Sequence, residues 1–240
     1  MKLEYNIDSN YRYNIKKPNG GILHTNIILL GKTIYNMKKG FSPIILICGS
    51  QRMGKSFVGV WLSYRISTFF HPEKEFSPEK YTFYDPLKTI DLLENFRHEP
   101  LLIDEAGAIA NKTEWYEKVT IALDKIIQTQ AYLSNIYIFV SPFGSDIAKT
   151  FRKHFDYILF VRMRGVITIK KIPKKYDDLT DKVPRPYRIE QIKLKKNCIP
   201  INVWEKYEKF SIKQKQILRE KALQQAKSKK HRNREKFWLD

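Results

Sequence analysis

Cysteine is scarce in this chain: Cys48 and Cys198 are the two present in 240 residues. Two cysteines make no disulfide framework, and the five histidines show no metal-ligand spacing with them, so no zinc site is expected. A reducing, intracellular setting follows as the expectation. Long apolar runs are missing too. None approaches the roughly 20 residues that span a bilayer, and no transmembrane segment is expected. The stretch from Met1 to Lys17 is polar and aromatic, unlike a secretory signal. Acidic residues are in short supply, 25 against 44 basic ones, for a formal net charge of +19. Such an excess calls for a polyanionic partner, either nucleic acid or an acidic membrane surface. A lysine-rich solvated surface is the plain alternative, and nucleic acid the favoured reading. Hydrophobic residues at 42% and charged residues at 29% place the chain among globular proteins. Its length accommodates one α/β core with appendages.

What is present is organised around PIILICGSQRMGKSFVGV, from Pro43 to Val60. Ile44 to Cys48 form an unbroken apolar run between Pro43 and Gly49, which suits a central parallel strand covered on both faces. Gly49 to Ser56 then fits G-x-x-x-x-G-K-[ST] at every fixed position. Gly49 and Gly54 let the backbone wrap a phosphate without a Cβ in the way. The N–H groups of Ser50, Gln51, Arg52 and Met53, with the start of the following helix, supply partial positive charge to an anion. Lys55 reaches toward β- and γ-phosphates, the Ser56 hydroxyl ligates Mg²⁺, and Phe57 closes the nucleotide-binding stretch.

A second motif lies downstream. Leu101, Leu102 and Ile103 read as a buried strand ending on Asp104 and Glu105. Parallel sheets bring their strand C-termini to one edge, where ligands bind. Asp104 is therefore expected to face the Mg²⁺ held by Ser56, and Glu105 to act as the base that polarises the attacking water. A strand and helix over residues 81–96 separate the two motifs. That spacing suits ATPases that insert a strand between the loop strand and the acidic strand, and argues against nucleotide kinases. Asp104 to Gly107 formally matches D-x-x-G, and Asn111 to Glu114 nearly matches N-K-x-D, but the second lies too close to the first to read a guanine.

The remaining chain reads as follows. Residues 1–21 are irregular, closing on the turn signal KPNGG, and 22–39 form a helix. A helix runs over 55–70, a short strand over 81–84, a helix over 87–96, a long helix over 113–133 and a buried strand over 136–140. Residues 145–154 are helical. Strands at 156–163 and 166–172 meet in a hairpin at Arg164-Gly165. A basic helix covers 203–225, followed by a basic tail expected to be mobile in isolation. The expected organisation is an N-terminal extension and helix (1–40), an ATPase core (41–175) and a basic C-terminal extension (176–240).

ICGSQRMGKSF, LLIDEAG, a long helix and the strand NIYIFVS together resemble the HerA–FtsK superfamily of P-loop ATPases. Within it the chain is similar to the small ATPases encoded by archaeal viruses and plasmids, some of them described as similar to the N-terminal domain of zonular occludens toxin. The resemblance covers residues 41–172. It implies an α/β fold of the P-loop NTPase, RecA/ASCE-like kind: a parallel sheet with helices on both faces, here with a basic helical extension. It also implies Mg²⁺-dependent ATP hydrolysis, a homo-oligomeric ring, often a hexamer, and movement of DNA in packaging or transfer of a genome. It sets the protein in the cytoplasm of a host cell. A polar residue that senses the γ-phosphate ends the strand after the acidic strand, commonly Gln in the family and Ser141 here. An arginine finger from a neighbouring subunit falls to Arg152, with Arg162 and Arg164 behind it. The alternative is an ATP-dependent assembly or switch protein acting on a protein partner.

Overall fold

The computed structural model describes residues 13–84, 92, 95–104, 121, 131–141, 154–173 and 185–236. The chain enters through an antiparallel pair, β1 (Tyr13–Lys16) and β2 (Ile22–Thr25), closed across KPNGG by the Lys17 N–H to the Gly21 carbonyl at 2.7 Å. This corrects the irregular segment and the helix start expected at residue 22. Strand pairing, a tertiary event, claims Ile22 to Thr25, and the helix α1 (Ile28–Lys38) begins only after them. No side chain of its own caps α1. The carboxylate of Glu190, far along the chain, accepts instead from the Ile28 and Leu29 N–H groups at 3.1 and 2.7 Å. A carboxylate there satisfies orphan donors and complements the helix dipole.

The apolar run becomes β3 (Ile44–Cys48), with all five residues buried. Successive strand side chains point to opposite faces, so burial of every one means that both faces are covered. After the loop, α2 (Lys55–Phe70) packs against β3 and its neighbours. A short helix, α3 (Pro78–Tyr81), leads into β4 (Thr82–Phe83). Then come β5 (Pro100–Ile103), β6 (Ile136–Ser141), β7 (Tyr157–Met163), β8 (Val166–Lys171) and β9 (Tyr187–Lys193). The helix α4 (Ile201–Lys236) completes the described chain.

Seven strands form one sheet in the order β4-β5-β6-β3-β7-β8-β9. The first five are mutually parallel, while β8 and β9 add in antiparallel fashion, so the fold is α/β with a mostly parallel sheet. The hairpin at Arg164-Gly165 is present as expected. The strand β9 goes beyond the sequence expectation: its charged, weakly alternating sequence hides the pairing, which only the open edge of β8 supplies. Of the helices expected at 113–133 and 87–96, residues 121, 131–133, 92 and 95–96 alone are described, and all of 145–153 lies outside the described residues.

At the opposite edge from the loop, Glu99 is buried. It accepts from Tyr81 Oη at 3.0 Å and Ser67 Oγ at 3.4 Å, and its own N–H donates to Asn135 Oδ1 at 3.0 Å. Burial and this carboxylate push the Tyr81 phenol up to about 12.

The helix α4 has 36 residues, about 54 Å at 1.5 Å per residue. Val203, Tyr207 and Ser211 are buried, and Trp204, Phe210, Gln214 and Leu218 are half-buried, a stripe at helical spacing that docks on α2 and α3. Lys209, Lys213, Lys215 and Arg219 are exposed. The helix continues to Lys236, past the expected end at 225, because lysine, arginine and glutamine propagate a helix well once its first turns are packed. Among the described residues, no helix is long and apolar enough to cross a membrane.

Candidate functional site

The loop between β3 and α2 owes its path to two glycines. Gly49 has φ +149°, and a Cβ there would strike the Val161 carbonyl oxygen of the adjacent β7. Gly54, at φ +87°, lies in the left-handed region and turns the chain into α2. Arg52 at the tip also has a positive φ, 61°, a strained state for a non-glycine residue. Ser50, Gln51 and Arg52 are exposed, while Met53 to Phe57 are half-buried. Lys55 Nζ donates to the carbonyls of Gly49 at 3.0 Å and Ser50 at 2.9 Å, which holds its charge across the mouth of the loop.

The parallel strands end at this same edge. Cys48 of β3 is in register with Ser141 of β6, and Ile103 of β5 with Phe139 of β6. Ser141, fully buried, therefore stands beside the start of the loop. Asp104 follows β5, with its N–H on the Phe83 carbonyl at 2.8 Å, and is 2% exposed. Ser56 Oγ donates to Asp104 Oδ1 at 3.1 Å, across 48 residues of sequence. The other carboxylate oxygen, Oδ2, accepts from the Tyr207 hydroxyl.

Aromatic rings enclose that contact. Tyr207 stacks on Trp204 at a centroid distance of 5.2 Å, and Trp204 meets Phe57 edge-on at 5.1 Å. Burial, and then the negative charge of Asp104, push the Tyr207 phenol well above its ordinary range. The same two causes raise Tyr84 to about 12. The Tyr84 hydroxyl is buried near Ser211 and Tyr207 without a hydrogen-bond partner of ordinary geometry. Its ring lies 6.0 Å from Phe210.

Of the residues expected from sequence, Gly49 to Phe57, Asp104 and Ser141 gather at one sheet edge. Arg162 and Arg164 are exposed on β7 and the turn after it. Glu105 and Arg152 lie outside the described residues. Sequence reasoning places Trp204, Tyr207 and Phe210 in a basic helix over 203–225 and gives them no part in the site. Nothing in their spacing indicates that Tyr207 reaches a carboxylate 103 residues away.

One hydroxyl and one carboxylate in contact, both at the lip of a loop of backbone N–H groups, fit a hard divalent cation that keeps its waters and shares phosphate oxygens. Among the described residues, no cluster of three or more His, Cys, Asp or Glu side chains forms a metal cage. Magnesium held largely by water and phosphate does not need one. Compared with family models and with curated proteins, the chain matches none.

Proposed function

We propose that this chain is a Mg²⁺-dependent, ATP-hydrolysing P-loop motor that acts on DNA. The observation that carries the reading is the Ser56–Asp104 hydrogen bond of 3.1 Å, which joins the first turn of α2, just after the loop, to the residue that follows β5. Strand order supports the class. β4, the strand that separates the two motifs in sequence, lies at the outer edge of the sheet, and it is β6 that stands between β3, which feeds the loop, and β5, which Asp104 follows. This is the inserted strand of ATPases that use a catalytic glutamate, the role assigned to Glu105.

In this reading the loop N–H groups and the N-terminus of α2 bind the β-phosphate, and Lys55 turns from the Gly49 and Ser50 carbonyls to the β- and γ-phosphates. Ser56 and Asp104 would hold Mg²⁺, which when bound would supply charge that neutralises the phosphates. Glu105 orients and polarises the attacking water, and Ser141 lies at the strand end from which a sensor of the γ-phosphate acts. Arg152 serves a neighbouring subunit in a ring. The net charge of +19 and the exposed Lys209, Lys213, Lys215 and Arg219 on α4 support a polyanionic track.

Phosphate release from ATP, measured with and without Mg²⁺ and with double- or single-stranded DNA, tests the reading. Mg²⁺-dependent release that DNA stimulates, and that Lys55→Ala abolishes, is the expected result. Release no greater than that of Lys55→Ala overturns the enzyme. Release that DNA leaves unchanged removes the DNA motor in favour of an ATPase acting on a protein partner.

A further inference from the structure

The helix α4 reaches the candidate site with a polar atom as well as an apolar face. Tyr207 is 2% exposed, at a position where phenylalanine would fill the same space against Trp204. Burying a phenol hydroxyl costs free energy unless it finds a partner, and the partner here is Asp104 Oδ2. Ser56 occupies Oδ1 of the same carboxylate. The two oxygens are therefore held by two different parts of the chain, the loop and the C-terminal helix. With one oxygen fixed by Tyr207, the carboxylate plane does not rotate freely, and the other oxygen is presented toward Ser56. Side chains that hold a metal's ligand by its far atom set the ligand's orientation, and their loss typically weakens metal binding by about 10–100-fold.

Resting on the Mg²⁺–nucleotide reading above, we infer that Tyr207 is a positioning residue for Asp104, through which the basic C-terminal helix is coupled to the metal side of the nucleotide site. The coupling has a direct physical route. Tyr207 lies on the same docked stripe as Trp204, whose ring meets Phe57, the residue after Ser56. A load on the exposed lysines of α4 acts on a helix whose buried face holds the carboxylate and touches the residue next to the metal-binding hydroxyl. The link is reciprocal: whatever tightens Asp104 around a cation also favours the docked helix.

The test titrates Mn²⁺, as a spectroscopic stand-in for Mg²⁺, into wild-type and Tyr207→Phe protein with ADP, and reads free Mn²⁺ by electron paramagnetic resonance. ADP affinity without metal and the thermal midpoint are measured alongside. Tyr207→Phe is expected to weaken Mn²⁺ by about tenfold or more while metal-free ADP affinity stays unchanged. A merely structural role would move the thermal midpoint and both affinities together. Equal Mn²⁺ affinity in the two proteins overturns the inference and leaves the nucleotide reading standing. A wild-type protein that binds no Mn²⁺ with ADP overturns that reading, and the inference with it. Should Tyr207→Phe fail to fold, 3-fluorotyrosine at position 207 keeps the ring and hydroxyl. Its fluorine resonance is expected to shift when diamagnetic Mg²⁺ is titrated with ADP in place of Mn²⁺, and no shift at saturating Mg²⁺ overturns the inference.

Discussion

Gly59 of α2 packs so closely on Leu102 of β5 that a Cβ on Gly59 would sit 2.6 Å from a Leu102 methyl. Leu102 is 1% exposed and has no room to withdraw. This contact sets how near α2 lies to β5, and hence how near Ser56 lies to Asp104. Gly59→Val is expected to lower stability by about 1–3 kcal/mol through overpacking. Gly59→Ala is expected to lose less, since alanine regains about 1 kcal/mol of helix propensity. Denaturant midpoints at unchanged slope check both.

The proposed roles of Lys55 and Glu105 separate binding from chemistry. Lys55→Ala removes the phosphate contact and is expected to abolish productive ATP binding. Glu105→Gln is expected to retain ATP and Mg²⁺ but lose hydrolysis, because an amide takes no proton from water. Equilibrium binding of a fluorescent ATP analogue and steady-state phosphate release distinguish the two. Wild-type turnover by Glu105→Gln would show that another group activates the water.

Alkaline stability reports the buried phenols. Tyr81 and Tyr84 are both raised from 10.0 to about 12, each by burial first and by a neighbouring carboxylate second, Glu99 and Asp104 respectively. A raised pKa means that the folded state holds the proton more tightly than the unfolded one. The stabilisation is therefore complete below pH about 10 and is lost as pH rises toward about 12. Each such group contributes a slope of about 1.4 kcal/mol per pH unit in that window. Tyr84→Phe is expected to flatten the fall by one group's slope and, since its hydroxyl lacks a good partner, to cost little at neutral pH. Urea unfolding between pH 8 and 12, by circular dichroism, measures it.

Deleting residues 227–240 removes Lys227, Lys229, Lys230, Arg232, Arg234 and Lys236. If these meet phosphates, DNA binding weakens and the slope of log K against log salt flattens in proportion to the number of phosphates they neutralise. ATP turnover without DNA is expected to stay the same, because Leu218 is the last position of α4 that is half-buried or buried among the described residues. Fluorescence anisotropy at several salt concentrations reads the change. Identical slopes would shift DNA contact to the core, where Lys170 and Lys171 lie on β8.

Local patterns carry a large part of the fold. The run Ile44 to Cys48 is buried on both faces because five consecutive apolar residues leave no polar face to expose. The loop that follows needs glycine at Gly49 and Gly54 for backbone reasons visible in its spacing, and α2 spans the expected residues 55–70. Parallel strands end at one edge, which pairs Ser56 with Asp104 on sequence grounds, and the two side chains lie 3.1 Å apart. What local pattern does not encode is partner choice between distant segments. Ile22 to Thr25 have helix-compatible spacing, yet pair with β1. Glu190 reads as one charge in a basic stretch, yet caps α1, and its strand joins the sheet because β8 offers an unpaired edge. Tyr207 falls on the apolar stripe of a basic helix, and its hydroxyl finds Asp104 only because the docking of α4 sets the rotation and height of that stripe. Periodicity selects which face of a helix is buried. The polar atom it meets there depends on where in space the rest of the chain has placed its own.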